Sequence, residues 1–345
     1  MPNPVITRAI DRIAARIDLS ADEAAAVLAE IMRGDASEIE IAGFLVGLRT
    51  KGETVEEVAG LARTMRAFAA VVSTSRRDLV DTAGTGGGRP TFNVSTTAAL
   101  IAAAAGCAVA KHGNRSATGR SGSADVLEAL GARIDLSPAA VATCIEDVGF
   151  GFMFAPAHHQ ATRYVVPVRK ELAVRTVFNL LGPLTNPAGA TRQLIGVSDP
   201  SIMGTVAGAL VHLGVERALV VSSDDGLDEL STVGPTEVVE VRGGALERYR
   251  VTPEDVGLAR IAADALAGGD PAANAATTRA ILAGDQGAPR DLAAFNAGAA
   301  IYAGGRADTL EAGVRAAETA IDSGAAATVL DRYITTSAAL APSAP

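Results

Sequence analysis

Three short stretches carry groups able to do chemistry. The first, DTAGTGGGRPTFNVSTTAAL from Asp81 to Leu100, puts four glycines into the five residues 84–88 and follows them with Asn93-Val94-Ser95-Thr96. Glycine in that number costs chain entropy and is accepted where bare backbone must approach a ligand. A strand, a glycine loop and a polar helix start together present free N–H groups and the positive end of a helix to an anion, and phosphate is the natural occupant. The loop is neither GxGxxG nor GxxxxGK[ST], so neither dinucleotide nor P-loop mechanics follows from it. Taken alone, it is also compatible with a simple glycine-rich turn closing a strand–helix unit.

The second stretch, KHGNRSATGRSGSADVLEALG from Lys111 to Gly131, gathers Lys111, His112, Asn114, Arg115, Ser121 and Ser123 at another strand-to-helix junction. In an open α/β sheet, loops at the carboxyl ends of neighbouring strands form the ligand crevice, so the two polar loops should face one another. The third, DDGLDELS from Asp224 to Ser231, is acidic and follows an apolar run. Carboxylates beside a phosphate loop suggest Mg²⁺, a hard cation shared between one or two carboxylates and substrate phosphates. A solvated acidic turn is the alternative.

These loops need elements to hold them. Residues 1–72 read as a helical bundle: Ser20-x-x-Glu23, Ser37-x-x-Glu40 and Thr54-x-x-Glu57 each match a capping box, glycine stops stand at Gly34 and Gly52, and an opening helix spans Pro4 to Ile17. From residue 73 to 345 the pattern is α/β. LVDT, CAVAKH, FGFMFA, RQLIGV and ALVVSS alternate with helical segments starting at Ser95, Ser123, Ser137 and Asp199, as parallel strands with helical crossovers do. Thr236 to Val251 reads as a hairpin turning at Gly243-Gly244.

Composition bounds the rest. The chain has 345 residues, 48% hydrophobic and 20% charged, which fits a small domain plus a larger one with a sizeable core. A net charge of −9 has the wrong sign for non-specific nucleic-acid binding. The two cysteines, Cys107 and Cys144, lie in apolar segments and read as buried thiols of a reducing compartment. The N-terminus offers no stretch of signal-peptide type, and the longest apolar run, Ala98 to Ala110, is shorter than the ~20 residues of a span. A cytoplasmic location is the expectation.

GTGGGRPTFNVST, KHGNRSATGRSGSADVLEALG, VRKELAVRTVFNLLGPLTNPA and DGLDE, in this order and spacing, resemble the anthranilate phosphoribosyltransferases from about residue 4 to 335. The resemblance implies a helical bundle domain with a contribution from about 163–188. It also implies a large α/β domain with a mostly parallel sheet of the nucleoside-phosphorylase-like kind, and a homodimer formed through the helical domains. Phosphoribosyl pyrophosphate would lie on Gly84, Gly87, Gly88, Thr91, Asn93, Val94, Ser95 and Thr96, on Lys111, His112, Gly113, Asn114, Arg115, Ser116, Ala117, Thr118 and Gly119, and on Ser123. Gly84, Asn114, Arg169 and His159 would meet anthranilate; Ser95, Asp228 and Glu229 would ligate Mg²⁺, two ions per active site.

Two departures from the family pattern stand out. Gly88 replaces the aspartate of GTGGDG and one residue is missing, while Thr118 and Gly119 stand where two serines are common. The implied chemistry is attack of the anthranilate amine on C1 of the ribose with loss of pyrophosphate, which needs no dedicated acid or base because an aryl amine is unprotonated at neutral pH. No triad or zinc spacing appears, in keeping with that. Of the remaining polar residues, Arg175 is expected to pair with a carboxylate inside the fold, and His158 to be a loop residue. A pyrimidine nucleoside phosphorylase, which shares the fold, is disfavoured by Lys111-His112-Gly113-Asn114 and by the VRTVFNLLGPLTNP segment. A non-catalytic nucleic-acid-binding relative is disfavoured by the acidic charge.

Overall fold

A computed structural model describes residues 1–116 and 119–342. Four helices open the chain: α1 (Pro4–Ala14), α2 (Ala21–Arg33), α3 (Glu38–Lys51) and α4 (Val55–Ala67). All three capping boxes form: Ser20, Ser37 and Thr54 accept the N–H of Glu23, Glu40 and Glu57, whose carboxylates return to the cap N–H groups. Gly34 closes α2 in the left-handed region at φ 85°, where a side chain would be strained. The first helix ends earlier than Ile17. Arg16 itself takes a left-handed φ of 61°, and the Ile17 N–H reaches back to the Arg12 carbonyl at 2.9 Å, a Schellman-type stop made without glycine.

The α/β part follows as β1 (Leu79–Asp81), α5 (Val94–Ala104), β2 (Ala108–Gly113), α6 (Ser123–Ala129), α7 (Pro138–Val148) and β3 (Phe150–Phe154). A connecting stretch holds α8 (Ala155–His158), α9 (Val166–Leu172) and α10 (Phe178–Leu184). Next come β4 (Arg192–Gly196), α11 (Met203–His212), β5 (Arg217–Ser223), β6 (Thr236–Arg242) and β7 (Ala245–Val251), then α12 (Pro271–Leu282), α13 (Ala288–Ala303), α14 (Leu310–Asp322) and α15 (Ala325–Leu340). The sheet order is β3-β2-β1-β4-β5-β6-β7. Strands β1 to β5 pair in parallel, and β6 and β7 add an antiparallel edge. Gly243 and Gly244, at φ 55° and 84°, make the two-residue turn of that edge hairpin.

Alternation along the strands divides the core between the two faces of the sheet. Leu194, Leu219, Val221 and Val238 face the layer of α5, α7, α13, α14 and α15. Ile195, Val220, Val239 and Val241 face the other way, into a cluster that includes Met203 and Val206 of α11, Val177 and Leu181 around α10, and Leu28, Phe44 and Val58 of the helical bundle. Period-two side-chain placement on a strand produces this split. The four opening helices therefore share one core with the sheet through α10 and α11. Among the described residues no helix is long and apolar enough to cross a membrane.

Strand order reverses between β1, whose other neighbour is β2, and β4. The loops leaving β1, β2, β4 and β5 all open at the carboxyl edge of this switch point, where open α/β sheets bind ligands.

Candidate active site

The glycine loop leaves β1 and crosses to β4. Gly84 lies so close to β4 that a Cβ there would sit 2.8 Å from the Gly196 carbonyl, and the Thr85 N–H donates to that carbonyl at 2.8 Å. Gly86 and Gly87 take φ of 65° and 88°. A Cβ on Gly88 would fall 2.4 Å from Asp228 Oδ1, and one on Gly196 would overlap the Asp228 carbonyl. Gly84, Gly88 and Gly196 thus let the acidic loop after β5 lie directly on the glycine loop. A side chain at 88 has no room in this arrangement.

Helix α5 begins at Val94, one residue before the position expected, with Asn93 as its cap residue but not its capping group. The Asn93 side chain is engaged elsewhere, accepting from Ser121 Oγ and Asn274 Nδ2 at 2.9 Å each and donating to the Ser121 carbonyl at 3.1 Å. The glycine loop and the second polar loop are pinned together by these bonds. The Glu229 carboxyl is favoured in its charged form by the Ser95 backbone N–H, at the positive end of α5. Thr91 Oγ1 bonds the Phe92 carbonyl, Val94 is buried, and Thr96 Oγ1 is buried without a partner among the described residues.

Lys111 and His112 come from the end of β2. Lys111, 1% exposed, donates to Thr82 Oγ1 at 3.0 Å and reaches Ser95 Oγ at 3.4 Å. Burial pushes its ammonium below the usual lysine value, and the negative charges of Asp81 and Glu229 oppose that. Asp81, fully buried, accepts the His112 N–H at 3.0 Å and the Asn186 amide at 2.7 Å. It is the ionic and hydrogen-bonding anchor beneath the lysine, and neither Asp81 nor Asn186 stands out in the sequence.

Asp228 and Glu229 are half-buried at the cleft floor. Burial raises both carboxyls, that of Glu229 to about 8 with the adjacent Asp228 charge adding to the effect; the Gly86 backbone N–H and the Arg175 charge favour the Asp228 carboxylate. Asp81 and Glu229 are the negative charges that act on the buried ammonium of Lys111. Two crowded carboxylates and the Ser95 hydroxyl form an all-oxygen donor set short of positive charge, which fits a hard divalent cation such as Mg²⁺.

Around α10 the polar groups have a different character. His112 Nδ1 lies 3.0 Å from the Gly182 carbonyl, so this nitrogen donates and Nε2 carries the lone pair. The His159 ring packs 5.1 Å from it, tilted by 58°, with its Nε2 buried and without a partner among the described residues. Both imidazoles are held neutral, burial pushing His112 down to about 3 and His159 to about 4. Arg169, in α9, sits over the Phe178 ring at 5.4 Å and donates to Asn179 Oδ1 at 3.4 Å. Its Nε is buried with no partner among the described residues, and desolvation lowers its affinity for the proton. An arginine so placed asks for an anion.

In the second polar loop, Asn114 keeps its carbonyl on the Ser123 hydroxyl at 3.2 Å and its side chain exposed. Gly113 packs on that hydroxyl too closely for a Cβ, while Ser116 N–H bonds Asp125 and Gly119 is exposed. The Arg115 guanidinium is engaged by Asp125 at 2.9 Å and by Glu128, on the outer side of α6. Ala117 and Thr118 lie outside the described residues.

Two expectations are corrected. His158 is a buried member of α8, its Nδ1 3.0 Å from the Ala70 carbonyl, because the chain after α4 must be tied to the sheet layer there. Arg175 pairs with no carboxylate among the described residues; it donates to Ser198 Oγ at 3.1 Å and lies against Gly87 of the glycine loop. Gly196, which ends β4, and Ser198, two residues on, gave no sequence signal beyond their place at a strand end.

Comparison with known proteins agrees with this arrangement. A model of the glycosyl transferase family a/b domain matches residues 76–327, and one of the glycosyl transferase family helical bundle domain matches residues 7–69. The anthranilate phosphoribosyltransferase of Rubrobacter xylanophilus is 54% identical over 98% of this chain and 99% of its own. That of Moorella thermoacetica is 52% identical over 94% and 96%. Among solved structures, the Thermus thermophilus enzyme superposes with a TM-score of 0.91 at 47% identity, covering 96% of this chain and 99% of that one. The Saccharomyces cerevisiae enzyme in complex with phosphoribosyl pyrophosphate and Mg superposes at 0.88 with 26% identity, over 97% and 98%. With both domains matched, nearly full mutual coverage and half of all positions identical, the chain belongs to the anthranilate phosphoribosyltransferase family.

Proposed function

We infer that this chain transfers the 5-phosphoribosyl group from phosphoribosyl pyrophosphate to the amino group of anthranilate, giving N-(5-phosphoribosyl)anthranilate and pyrophosphate in tryptophan biosynthesis. The carrying observation is two unlike polar clusters joined through the adjacent Lys111 and His112, which we read as the two walls of one site. One wall is a glycine loop packed on Asp228 and Glu229 beside Lys111; the other is Arg169 and two neutral imidazoles around α10.

The first wall suits the diphosphate and the sugar. Loop N–H groups, the start of α5 and Lys111 would hold phosphate oxygens, and Ser95, Asp228 and Glu229 would hold Mg²⁺, with two ions per site as our reading. When bound, the metal neutralises charge on the departing pyrophosphate. The second wall suits the aryl acid, with Arg169 forking onto its carboxylate and Asn114, Gly84 and His159 lining the approach. The amine nitrogen then attacks C1, the C1–oxygen bond to pyrophosphate breaks, and the nitrogen sheds its proton to solvent water. Neutral His112 and His159 can accept hydrogen bonds from the amine without competing for the substrate's negative charge. Rate then comes from alignment and electrostatics rather than from an acid–base pair.

We read the protein as cytoplasmic and as a homodimer built on the helical bundle. Val5, Ile39 and Val46 are exposed on α1 and α3 at 38%, 85% and 42%, an apolar surface left over when the bundle packs on the sheet. Light scattering should give twice the chain mass.

The deciding experiment follows anthranilate fluorescence with purified protein, phosphoribosyl pyrophosphate and Mg²⁺. Consumption requiring all three components is expected; a folded protein that leaves anthranilate untouched overturns the reading.

A further inference from the structure

Arg175 is a cation that neither the ion pairs of the fold nor the site residues above account for. It lies between α9 and α10, is exposed, and has no carboxylate within salt-bridge distance among the described residues. Its backbone is held from the helical bundle, Arg49 Nη1 donating to the Arg175 carbonyl at 2.6 Å. Its guanidinium is seated on the glycine loop: a Cβ added to Gly87 would fall 2.4 Å from Nη1. From there hydrogen bonds run inward. Arg175 Nη1 donates to Ser198 Oγ at 3.1 Å and Ser198 Oγ donates to the Gly86 carbonyl at 3.0 Å, while the Arg175 charge acts on the Asp228 carboxyl.

The guanidinium thus stands at the glycine loop, spending one of its five donors on a hydroxyl and leaving others toward solvent. Guanidinium groups bind phosphate oxygens in a planar fork and are weakly hydrated, so little is lost on docking. We propose that Arg175 binds the diphosphate of the phosphoribosyl donor, so that the leaving group is held between this arginine, reaching in from the linker to the helical bundle, and the Asp228–Glu229 wall. The inference rests on the reading of the glycine loop as a diphosphate site. It separates the two arginines of one segment: Arg169 for the aryl acid, Arg175 for the diphosphate six residues on.

The test is calorimetric titration of the apoprotein with inorganic pyrophosphate at fixed Mg²⁺, without anthranilate. Wild type should bind, Arg175→Ala should bind about tenfold or more weakly, as loss of a charged hydrogen bond implies, and Arg175→Lys should fall between. Ser198→Ala keeps the cation while removing its tie to the loop, and should lose less than threefold. In steady state Arg175→Ala should raise the KM for phosphoribosyl pyrophosphate and leave that for anthranilate unchanged, with an unaltered melting temperature because the side chain is exposed. Equal binding by wild type and Arg175→Ala overturns the assignment, as does a Ser198→Ala loss as large as that of Arg175→Ala, which would make the arginine a prop for the loop. Failure of wild type itself to bind Mg²⁺-pyrophosphate removes the diphosphate site, and the assignment with it.

Discussion

Arg89 and Asp225, 136 positions apart, meet at 2.9 Å and fasten the glycine loop to the acidic loop. The same arginine donates its backbone N–H to the Gly226 carbonyl at 2.7 Å and a second guanidinium nitrogen to the Ala263 carbonyl at 2.9 Å. Asp225 in turn accepts from Ser223 and Ser231 hydroxyls. The glycine loop is therefore held to the acidic loop by this staple, while Gly88 lets Asp228 pack directly against the loop backbone. Arg89→Ala should loosen the loop relative to the carboxylates. The expected signature is a several-fold rise in KM for phosphoribosyl pyrophosphate with that for anthranilate unmoved, read from initial rates with each substrate varied in turn.

Asp228 and Glu229 carry opposed effects on stability and function. Burial pushes both carboxyls up, and the Asp228 charge adds to the rise at Glu229, so the apoprotein carries a cost that a cation would relieve. Asp228→Asn combined with Glu229→Gln should lower Mg²⁺-dependent turnover by orders of magnitude while the metal-free melting temperature stays level or rises. A double variant with near wild-type turnover at ordinary Mg²⁺ would remove both residues from the metal site.

Most of this architecture is legible in the sequence because it rests on local rules. Capping boxes place α2 to α4 within a residue, and short apolar runs mark all five parallel strands. The cleft loops declare themselves through residue types that a core would reject. What escapes notice is long-range. Asp81 reads as the end of a strand, yet it is the buried partner of Asn186, 105 positions away. Gly196 reads as an ordinary strand terminus, although a methyl group there would overlap Asp228. Arg175 invites a carboxylate by charge alone, and only the fold shows that the nearest groups are a hydroxyl and glycine backbone. The early stop of α1 is hidden for another reason: arginine gives no hint that it will take a left-handed φ.

His112 and His159 make a prediction about pH. Both are neutral in the fold, with values near 3 and 4, against about 6.5 when unfolded. The unfolded chain thus binds more protons below 6.5, so stability is complete above that pH and is lost as pH falls toward the folded values. At pH 5 each imidazole should account for about 2 kcal/mol of that loss, from ~1.4 kcal/mol per pH unit. Urea unfolding at pH 7 and pH 5 measures it, and His112→Gln should show a smaller drop than wild type. An equal drop in both would mean that His112 is charged or free to leave its site in the fold. Turnover between pH 6.5 and 8 should show no inflection from these two rings.

Arg169 tests the orientation of the whole cleft. Its guanidinium lies over Phe178, within reach of Asn179 and with a buried Nε lacking any partner among the described residues, so its positive charge is only partly answered by the protein. A benzoate carboxylate would supply both the negative charge and the paired acceptors, and would fix the ring so that the ortho amine faces the sugar. Arg169→Ala should raise the KM for anthranilate by the roughly 1.5–3 kcal/mol of a hydrogen bond to a charged group, about ten- to a hundredfold, and leave that for phosphoribosyl pyrophosphate nearly unchanged. Aniline, with no carboxylate, should be a poor substrate of wild type and lose little more in the variant, because the interaction removed is one that aniline never makes. Competition by benzoate should weaken in parallel with anthranilate. The reverse pattern, with phosphoribosyl pyrophosphate binding lost and anthranilate binding intact, would put Arg169 on the phosphate side and exchange the two walls.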